Sequence, residues 1–429
     1  MRLTVIGTGY LGAVHAACMA EVGHDVLGVD VDQAKISALA EGRAPFFEPG
    51  FPEVLARNLE NGRLRFSTSP AEAAAFGDVH FVCVGTPQTP GSHAADLRYV
   101  DAAVQGLAPH LRPGALIVGK STVPVGTAAR LASGLDADLA WNPEFLREGF
   151  AVEDTLRPDR LVVGVTSPRA EAVLREVYAT MLDAGTPWVS TDLATAELVK
   201  VAANSFLATK ISFINAMAEI CEATGADVPT LAEAIGYDAR IGRRFLRAGV
   251  GFGGGCLPKD IRAFRHRASE LGLEESVRFL GEVDAINLRR RSRAVSLARE
   301  LVGGSFAGTG VAVLGATFKP DSDDIRDSPA LAVANAIRAE GARVTVHDPQ
   351  GVDNARAAFP ELDYSPSAQK ACEGAHVVLH LTEWAEYRQL DPAAIAEVVA
   401  APALVDGRNA LDAAAWRAAG WTVRALGRQ

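Results

Sequence analysis

The sequence predicts an α/β protein: two domains built on parallel sheets at the ends of the chain, joined by a long central helix and a helical middle domain. Three observations carry this. Short β-like runs alternate with helical patterns from Leu3 to about Val165, the signature of βαβ units and a parallel sheet. From Asp192 to Thr224 there is neither glycine nor proline, and Gly225 is the first break. At Gly310 the alternation restarts. The domain borders expected from this are 1–191, 192–302 and 303–429.

In order, Leu3–Ile6 reads as a strand, Gly7–Gly12 as a turn, Gly12–Val22 as a helix and Asp25–Val29 as a strand ending in Asp30. Val79–Val84, Leu116–Val118 and Leu161–Val165 are further strands, and such near-continuous apolar runs suit strands covered on both faces. The 192–224 stretch is apolar on nearly every side (Leu198, Val201, Phe206, Leu207, Ile211, Phe213, Ile214, Met217, Ile220). A helix of that kind is expected to be buried, in a domain core or in a subunit interface. A glycine-punctuated helical region follows to about Val302. The last part gives Val311–Leu314 as a strand, Ser328–Glu340 as a helix, Val344–His347 as a strand ending in Asp348, then strands at Val377–Leu381 and Ala403–Val405.

Composition narrows the function. The 429 residues leave room for two to three domains with sizeable cores. A net charge of -10 argues against nucleic acid as a partner, because neutralising phosphates needs a basic field. Gly7 ends the first apolar run after a few residues, and no stretch reaches the ~18 apolar residues a membrane span needs. A cytoplasmic protein with no membrane partner is expected. The five cysteines (Cys18, Cys83, Cys221, Cys256, Cys372) are scattered, without CxxC or HExxH, so neither a disulfide framework nor a metal site is expected.

Gly7-Thr8-Gly9-Tyr10-Leu11-Gly12 matches GxGxxG between a strand and a helix, with Asp30 at the end of the next strand. The end is therefore Rossmann-like: Gly7 permits the tight turn, Gly9 lets the backbone approach a pyrophosphate, and Gly12 permits close helix–strand packing. Asp30 would accept from the ribose hydroxyls and repel a 2′-phosphate, and no arginine follows it at once, which favours NAD over NADP. Thr86 in Gly85-Thr86-Pro87, and Ser121-Thr122, end strands of the same sheet and should border the dinucleotide. The second Rossmann-like end has no glycine triad at Gly310–Thr317, so a nucleotide in a different phosphate cradle is expected there.

Cys18, Cys83, Cys221 and Cys372 lie in helical or strand patterns and read as small core residues. Cys256 differs. It sits in Gly249-Val250-Gly251-Phe252-Gly253-Gly254-Gly255-Cys256-Leu257-Pro258-Lys259-Asp260, a glycine-dense loop running into a helix start. Such a loop suits close backbone approach to a ligand, and the helix start with Lys259 would favour a thiolate. Arg240, Arg243, Arg244 and Arg247 put positive charge just upstream, which suggests an anionic substrate; Arg289-Arg290-Arg291 reads as a solvated helix face. Lys200 and Asn204 share a face at i, i+4 of the long helix. A lysine there is either functional or paired with Glu197. Glu144 and Glu148 stand four apart in Trp141–Gly149. Only seven of the 42 basic residues are lysines, and five of them (Lys35, Lys120, Lys200, Lys259, Lys319) fall in or beside these strings.

Taken together, GTGYLG, VGTP, STVPVGT, NPEFLREG, Lys200/Asn204, GFGGGCLPKD and Thr317-Phe318-Lys319-Pro320 with Asp324–Pro329 resemble the UDP-glucose/GDP-mannose dehydrogenase family, and within it the UDP-glucose branch, over essentially the whole chain. One departure is Gly255, where the family usually has serine. The resemblance implies an NAD-dependent, four-electron oxidation of the C6 alcohol of UDP-glucose, with Cys256 as nucleophile and two NAD used per sugar. It implies that Lys200 and Asn204 stabilise an oxyanion, and that Asp260, Thr122 and Glu144 hold water and move protons. NAD contacts would come from Gly7, Gly9, Tyr10, Leu11, Gly12, Asp30, Lys35, Thr86, Ser121, Thr122, Glu148, Lys259 and Arg326. Substrate contacts would come from Phe145, Leu146, Arg147, Glu148, Lys200, Asn204, Phe245, Leu246, Arg247, Ala248, Gly249, Gly253 and Lys319. Arg240 would reach the substrate across a homodimer interface. Rival readings are another nucleotide sugar (GDP-mannose or a UDP-N-acetylhexosamine), a two-electron hydroxyacid dehydrogenase, or a non-catalytic sensor of NAD or nucleotide sugars.

Overall fold

The computed structural model describes residues 1–428 and divides into two compact units. The first comprises Met1–Ala203 with His266–Gly272, and the second Asn204–Arg265 with the chain from Leu273 onward.

The first unit is built on eight strands: β1 (Arg2–Ile6), β2 (Asp25–Val29), β3 (Leu64–Ser67), β4 (Val79–Val82), β5 (Leu116–Gly119), β6 (Asp138–Trp141), β7 (Leu161–Gly164) and β8 (Trp188–Thr191). They lie in the order β3-β2-β1-β4-β5-β6-β7-β8. All pairs are parallel except β6 with β7, which meet antiparallel at Trp141 and Gly164. Strand order reverses on either side of β1, so the turn after β1 opens at the switch point where α/β sheets bind ligands. The helix Tyr10–Glu21 packs its alanines flat on the sheet; every residue from Gly12 to Ala20 is buried. It shares a core with Leu3, Val5, Phe81, Leu116, Val118, Phe51 and Leu55.

The second unit carries six strands: β9 (Gly310–Leu314), β10 (Arg343–His347), β11 (Asp363–Tyr364), β12 (Val377–His380), β13 (Ala403–Asp406) and β14 (Thr422–Ala425). Their order, β11-β10-β9-β12-β13-β14, repeats the first six positions of the other sheet, and every pair is parallel. Leu331, Ala334 and Ile337 of the helix Pro329–Ala339, and Ala294 and Ala298 of the helix Phe279–Leu301, pack on Val311 and Val313. The α/β class and the long helix stand as expected.

That helix runs from Leu193 to Thr224 over 32 residues. It is not buried on all sides of the single chain. Val201, Ala208, Ile214, Ala218 and Cys221 are in the core, but Leu198, Phe206, Phe213 and Ile220 are 42–66% exposed and recur every seven or eight residues. The Arg289–Arg291 run also departs from its reading as a solvated face. Arg290 is fully buried and pairs with Glu222 at 2.8 Å, and Arg291 pairs with Asp327 at 2.9 Å. An arginine can be buried where a carboxylate offsets its desolvation.

Candidate active site

The turn after β1 is shaped for a dinucleotide. Gly7 has φ +91°, and a Cβ on Gly12 would lie 1.8 Å from the Gly7 carbonyl oxygen, so side chains are excluded at both. A Cβ on Gly9 would meet nothing within 4 Å, and no described side chain caps the helix that starts at Tyr10. Uncapped amides at the positive end of a 12-residue helix suit a pyrophosphate, so these residues fit NAD. Asp30 accepts from the Thr8 amide at 2.8 Å and from Lys35 at 2.9 Å. Burial pushes its carboxyl up, but Lys35 and the Asp32 and Thr8 amides outweigh that and hold it below the usual range. Lys35 is thus placed on Asp30; Leu11 is half-buried against the core.

Tyr10 reveals a residue the sequence did not single out. Its hydroxyl donates to Glu48, which is 2% exposed and also accepts from the Gly149 and Ala151 amides at 2.6 Å each. Burial pushes both Glu48 and Tyr10 up from their ordinary values. Glu48 therefore fastens the glycine turn to the end of the NPEFLREG segment. At the carboxyl ends of β4 and β5, the Thr86 hydroxyl donates to the Thr122 carbonyl at 2.8 Å and Ser121 to the Val84 carbonyl at 2.7 Å. The two polar strand ends form one rim.

Glu144 is no exposed acid: its side chain is 17% accessible and pairs with buried Lys120 at 3.0 Å. Its other oxygen accepts from the Phe145 and Leu146 amides at 2.7 and 3.0 Å. Burial raises its carboxyl, but Lys120 outweighs that and leaves it below the usual range. Glu197 is not the partner of Lys200; it accepts from the Gly126 and Ala128 amides at 2.7 and 2.6 Å, which holds the STVPVGT loop. Lys200 instead lies with Nζ 5.3 Å from the Phe145 ring centre. Arg147 pairs with Asp154 at 2.6 Å; Leu146 packs on the core and Glu148 is half-buried.

The second unit holds the thiol. Cys18, Cys83, Cys221 and Cys372 are buried, and burial pushes Cys83 and Cys372 up to about 12; Cys256 alone is exposed. It immediately precedes the helix Leu257–Glu270, and its carbonyl accepts from the Asp260 amide at 2.9 Å. The start of a helix favours negative charge at that position. Asp260 is 2% exposed and accepts from Asn204 Nδ2 at 2.6 Å and from Lys259 at 2.5 Å, which orients the Asn204 amide. A Cβ on Gly253 would lie 2.3 Å from the Asp327 carbonyl, and one on Gly255 would lie 2.3 Å from the Arg326 guanidinium carbon. The missing serine hydroxyl at 255 thus makes room for Arg326, which is held by a fork onto Asp324.

Among the remaining residues, Phe245 adopts φ +63°, Leu246 and Ala248 are buried, and Gly249 donates to Asn215 at 2.9 Å. Arg247 lies 3.9 Å from Glu383, Lys319 lies over the Phe318 ring at 5.6 Å, and exposed Arg240 pairs with Asp238 at 2.6 Å. Lys200, Glu144, Glu148 and Thr122 belong to the first unit; Asn204, Cys256, Lys259, Asp260 and Arg326 belong to the second.

Such a combination of a dinucleotide turn, a thiol at a helix start and a second Rossmann-like sheet defines a nucleotide-sugar dehydrogenase. The chain belongs to the UDP-glucose/GDP-mannose dehydrogenase family: residues 1–182 match its NAD binding domain, 194–289 its central domain and 312–413 its UDP binding domain. It is 44% identical over 418 residues to a UDP-glucose 6-dehydrogenase of Rhizobium meliloti, covering 95% of each chain. It is 38% identical to one of Bacillus subtilis over 100% of this chain and 98% of that one. A UDP-glucose dehydrogenase structure from Pyrobaculum islandicum superposes with TM-score 0.90 at 39% identity, covering 98% of each chain. The family is one of NAD-dependent oxidoreductases, and the first Rossmann-like sheet is its NAD domain. Among the described residues, no helix is long and apolar enough to cross a membrane.

Proposed function

We propose that the protein oxidises the C6 alcohol of UDP-glucose to the carboxylate of UDP-glucuronate, removing four electrons with two NAD per sugar. The observation that carries this is the exposed Cys256 at the start of a 14-residue helix, beside the buried Asp260 that orients Asn204. Bound NAD supplies the hydride acceptor for both oxidations. Lys200 and Asn204 stabilise the oxyanion on O6 as each hydride leaves. The Cys256 thiolate adds to the aldehyde to give a thiohemiacetal, and loss of the second hydride leaves a thioester. Water then adds at C6, the C6–S bond breaks, and the thiolate is regenerated. Glu144, Thr122 and Asp260 hold that water and carry its protons. The thiol is needed because a free aldehyde could leave between the two oxidations.

The nucleotide belongs to the second Rossmann-like sheet, with sugar contacts from 145–148, 245–249, Gly253 and Lys319. A second copy of the chain covers the stripe Leu198, Phe206, Phe213 and Ile220 and presents its Arg240 to the substrate. The domain borders we adopt are 1–191, 192–302 and 303–429. The reduced thiol that the chemistry requires suits the cytoplasm.

The test is the ratio of NADH formed to UDP-glucose consumed, in wild type and Cys256→Ser. Two NADH per sugar and near-complete loss of turnover in the variant are expected; one NADH per sugar, or full activity without the thiol, contradicts the mechanism. A second substrate is also to be assayed. A UDP-D-ManNAc dehydrogenase structure from Pyrococcus horikoshii superposes over the whole chain with TM-score 0.87, at 27% identity. Turnover of that sugar alone would keep the chemistry and change the substrate. Phe206→Glu should convert a dimer to monomers in sedimentation experiments.

A further inference from the structure

Lys120 has no role in the reaction proposed for the protein, yet it is a deeply buried charge paired with one of the carboxylates assigned to it. It follows β5, its side chain is 4% accessible, and three oxygens surround its ammonium: Glu144 Oε2 at 3.0 Å, Asn142 Oδ1 at 3.1 Å and the Tyr178 hydroxyl at 3.5 Å. Tyr178 donates to the same Asn142 oxygen at 2.6 Å, and the Asn142 amide donates to the Val162 carbonyl at 2.8 Å. The ammonium is therefore pinned from β6, from the residue after the helix Pro168–Val177 and, through Asn142, from β7. Glu144 is pinned in turn, with one oxygen on Lys120 and the other on two amides. Burying a lysine is costly unless it is paired, and the partner of Lys120 is a carboxylate assigned to the reaction.

We propose that Lys120 is a positioning residue of the hydrolytic half-reaction: it keeps Glu144 ionised and fixed in orientation, ready to take a proton from the attacking water. In that step the water oxygen bonds to C6 and one of its protons passes to Glu144. The C6–S electron pair returns to the Cys256 sulfur, and no electrons are exchanged with any other partner. The inference rests on the proposed function, since it needs a thioester to hydrolyse. The groups bearing on Glu144 are Lys120, Lys200 on the long helix, Tyr178, Cys83 after β4 and Cys18 on the helix Tyr10–Glu21. Of these only the two lysines favour its charged form, and the effect of Lys120 is the larger. Burial pushes Glu144 up and Lys120 reverses it, so removing the ammonium releases the upward shift.

The experiment follows single turnovers of the full-length enzyme with UDP-glucose and NAD, in wild type, Lys120→Met, Lys120→Arg, Glu144→Gln and the double variant Lys120→Met/Glu144→Gln. For Lys120→Met, hydrolysis near neutral pH should fall about 100-fold, the covalent adduct on Cys256 should accumulate in intact-mass spectra, and the rate should recover as the pH is raised and the buried carboxyl ionises again. Lys120→Arg should restore the wild-type acidic limb. The double variant carries no unpaired buried charge, which keeps the test independent of any folding defect in the single variant, and it should be no slower than Glu144→Gln. A rate loss equal at all pH values, or a double variant clearly slower than Glu144→Gln, would overturn the inference. Absence of any adduct in the wild type would instead overturn the thioester mechanism itself.

Discussion

The two Rossmann-like sheets share their first turn almost atom for atom and then diverge. In each, the first strand is followed by a glycine with positive φ, +91° at Gly7 and +115° at Gly315. Each glycine donates to the last carbonyl of the second strand, Gly7 to Val29 at 2.7 Å and Gly315 to His347 at 2.8 Å. Each second strand is followed by an aspartate that takes the next turn amide, Asp30 from Thr8 at 2.8 Å and Asp348 from Ala316 at 2.7 Å. The third turn residue separates them. Gly9 has open space where a side chain would be, whereas Thr317 fills that position and donates its hydroxyl to Asp348 at 3.0 Å, with the Trp384 indole on the same carboxylate at 3.1 Å. The helix then starts at once at Tyr10 in one unit but only at Pro329 in the other. Equal topology fixes where a site can form. The turn chemistry decides whether a pyrophosphate can enter it or the protein's own side chains close it.

The comparison breaks most easily at Gly12. An added methyl would overlap the Gly7 carbonyl, so Gly12→Ala should cost about 4 kcal/mol of stability and abolish NAD binding. Calorimetry with NAD titration checks both; an alanine variant that binds normally would mean the turn is not the cradle. Next is Asp348→Ala. Its carboxylate serves the amides of Ala316, Thr317, Gln350 and Gly351, and those of the buried Ala316, Thr317 and Gly351 would be left unpaired. A loss of about 3 kcal/mol in denaturant unfolding is expected, with NAD affinity unchanged.

How much of this was legible depended on how local each signal is. The dinucleotide turn could be read because strand, glycines, helix and aspartate all lie within thirty residues. The thiol loop could be read because glycines, Cys256 and the helix start are contiguous. Strands β3, β6, β8, β11 and β14 went unread although β4 and β5 are themselves only four residues long; β3, β11 and β14 bury at most two residues and β8 none, so they show no continuous apolar run. Arg290 was misread because its partner Glu222 is 68 residues away. Glu48 was missed because it meets Gly149 across 101 residues, and no local pattern marks a carboxylate that will be buried. The heptad-like stripe on the long helix was seen as apolar residues, but only the fold divides them into a core face and an exposed face.

Asp30 and Gly9 then sharpen the contrast from the other side. Asp30 is half-buried and is held by Lys35 and three hydrogen bonds to the turn and the next loop, but the turn beside it is open at Gly9 and not sealed by a side chain. Asp30→Ala should therefore weaken NAD about 30-fold, with the loss in stability smaller than for Asp348→Ala. An equal loss of stability in both variants would erase the proposed difference between the turns.

Gly9→Ala is the smallest and most selective change. The backbone there, φ −65° and ψ −168°, suits any residue, and the added methyl would touch no protein atom within 4 Å. The free protein should melt as wild type does. Yet the methyl would occupy the space through which a pyrophosphate reaches the helix amides, so NAD affinity should drop about 10-fold, or ~1.4 kcal/mol. Only a position kept as glycine for a ligand, and not for the fold, can lose binding while stability stays constant. The matched residue of the other sheet behaves oppositely: Thr317→Gly should destabilise its unit and leave NAD binding alone, since its hydroxyl donates to Asp348 and accepts from the Trp384 indole inside the protein.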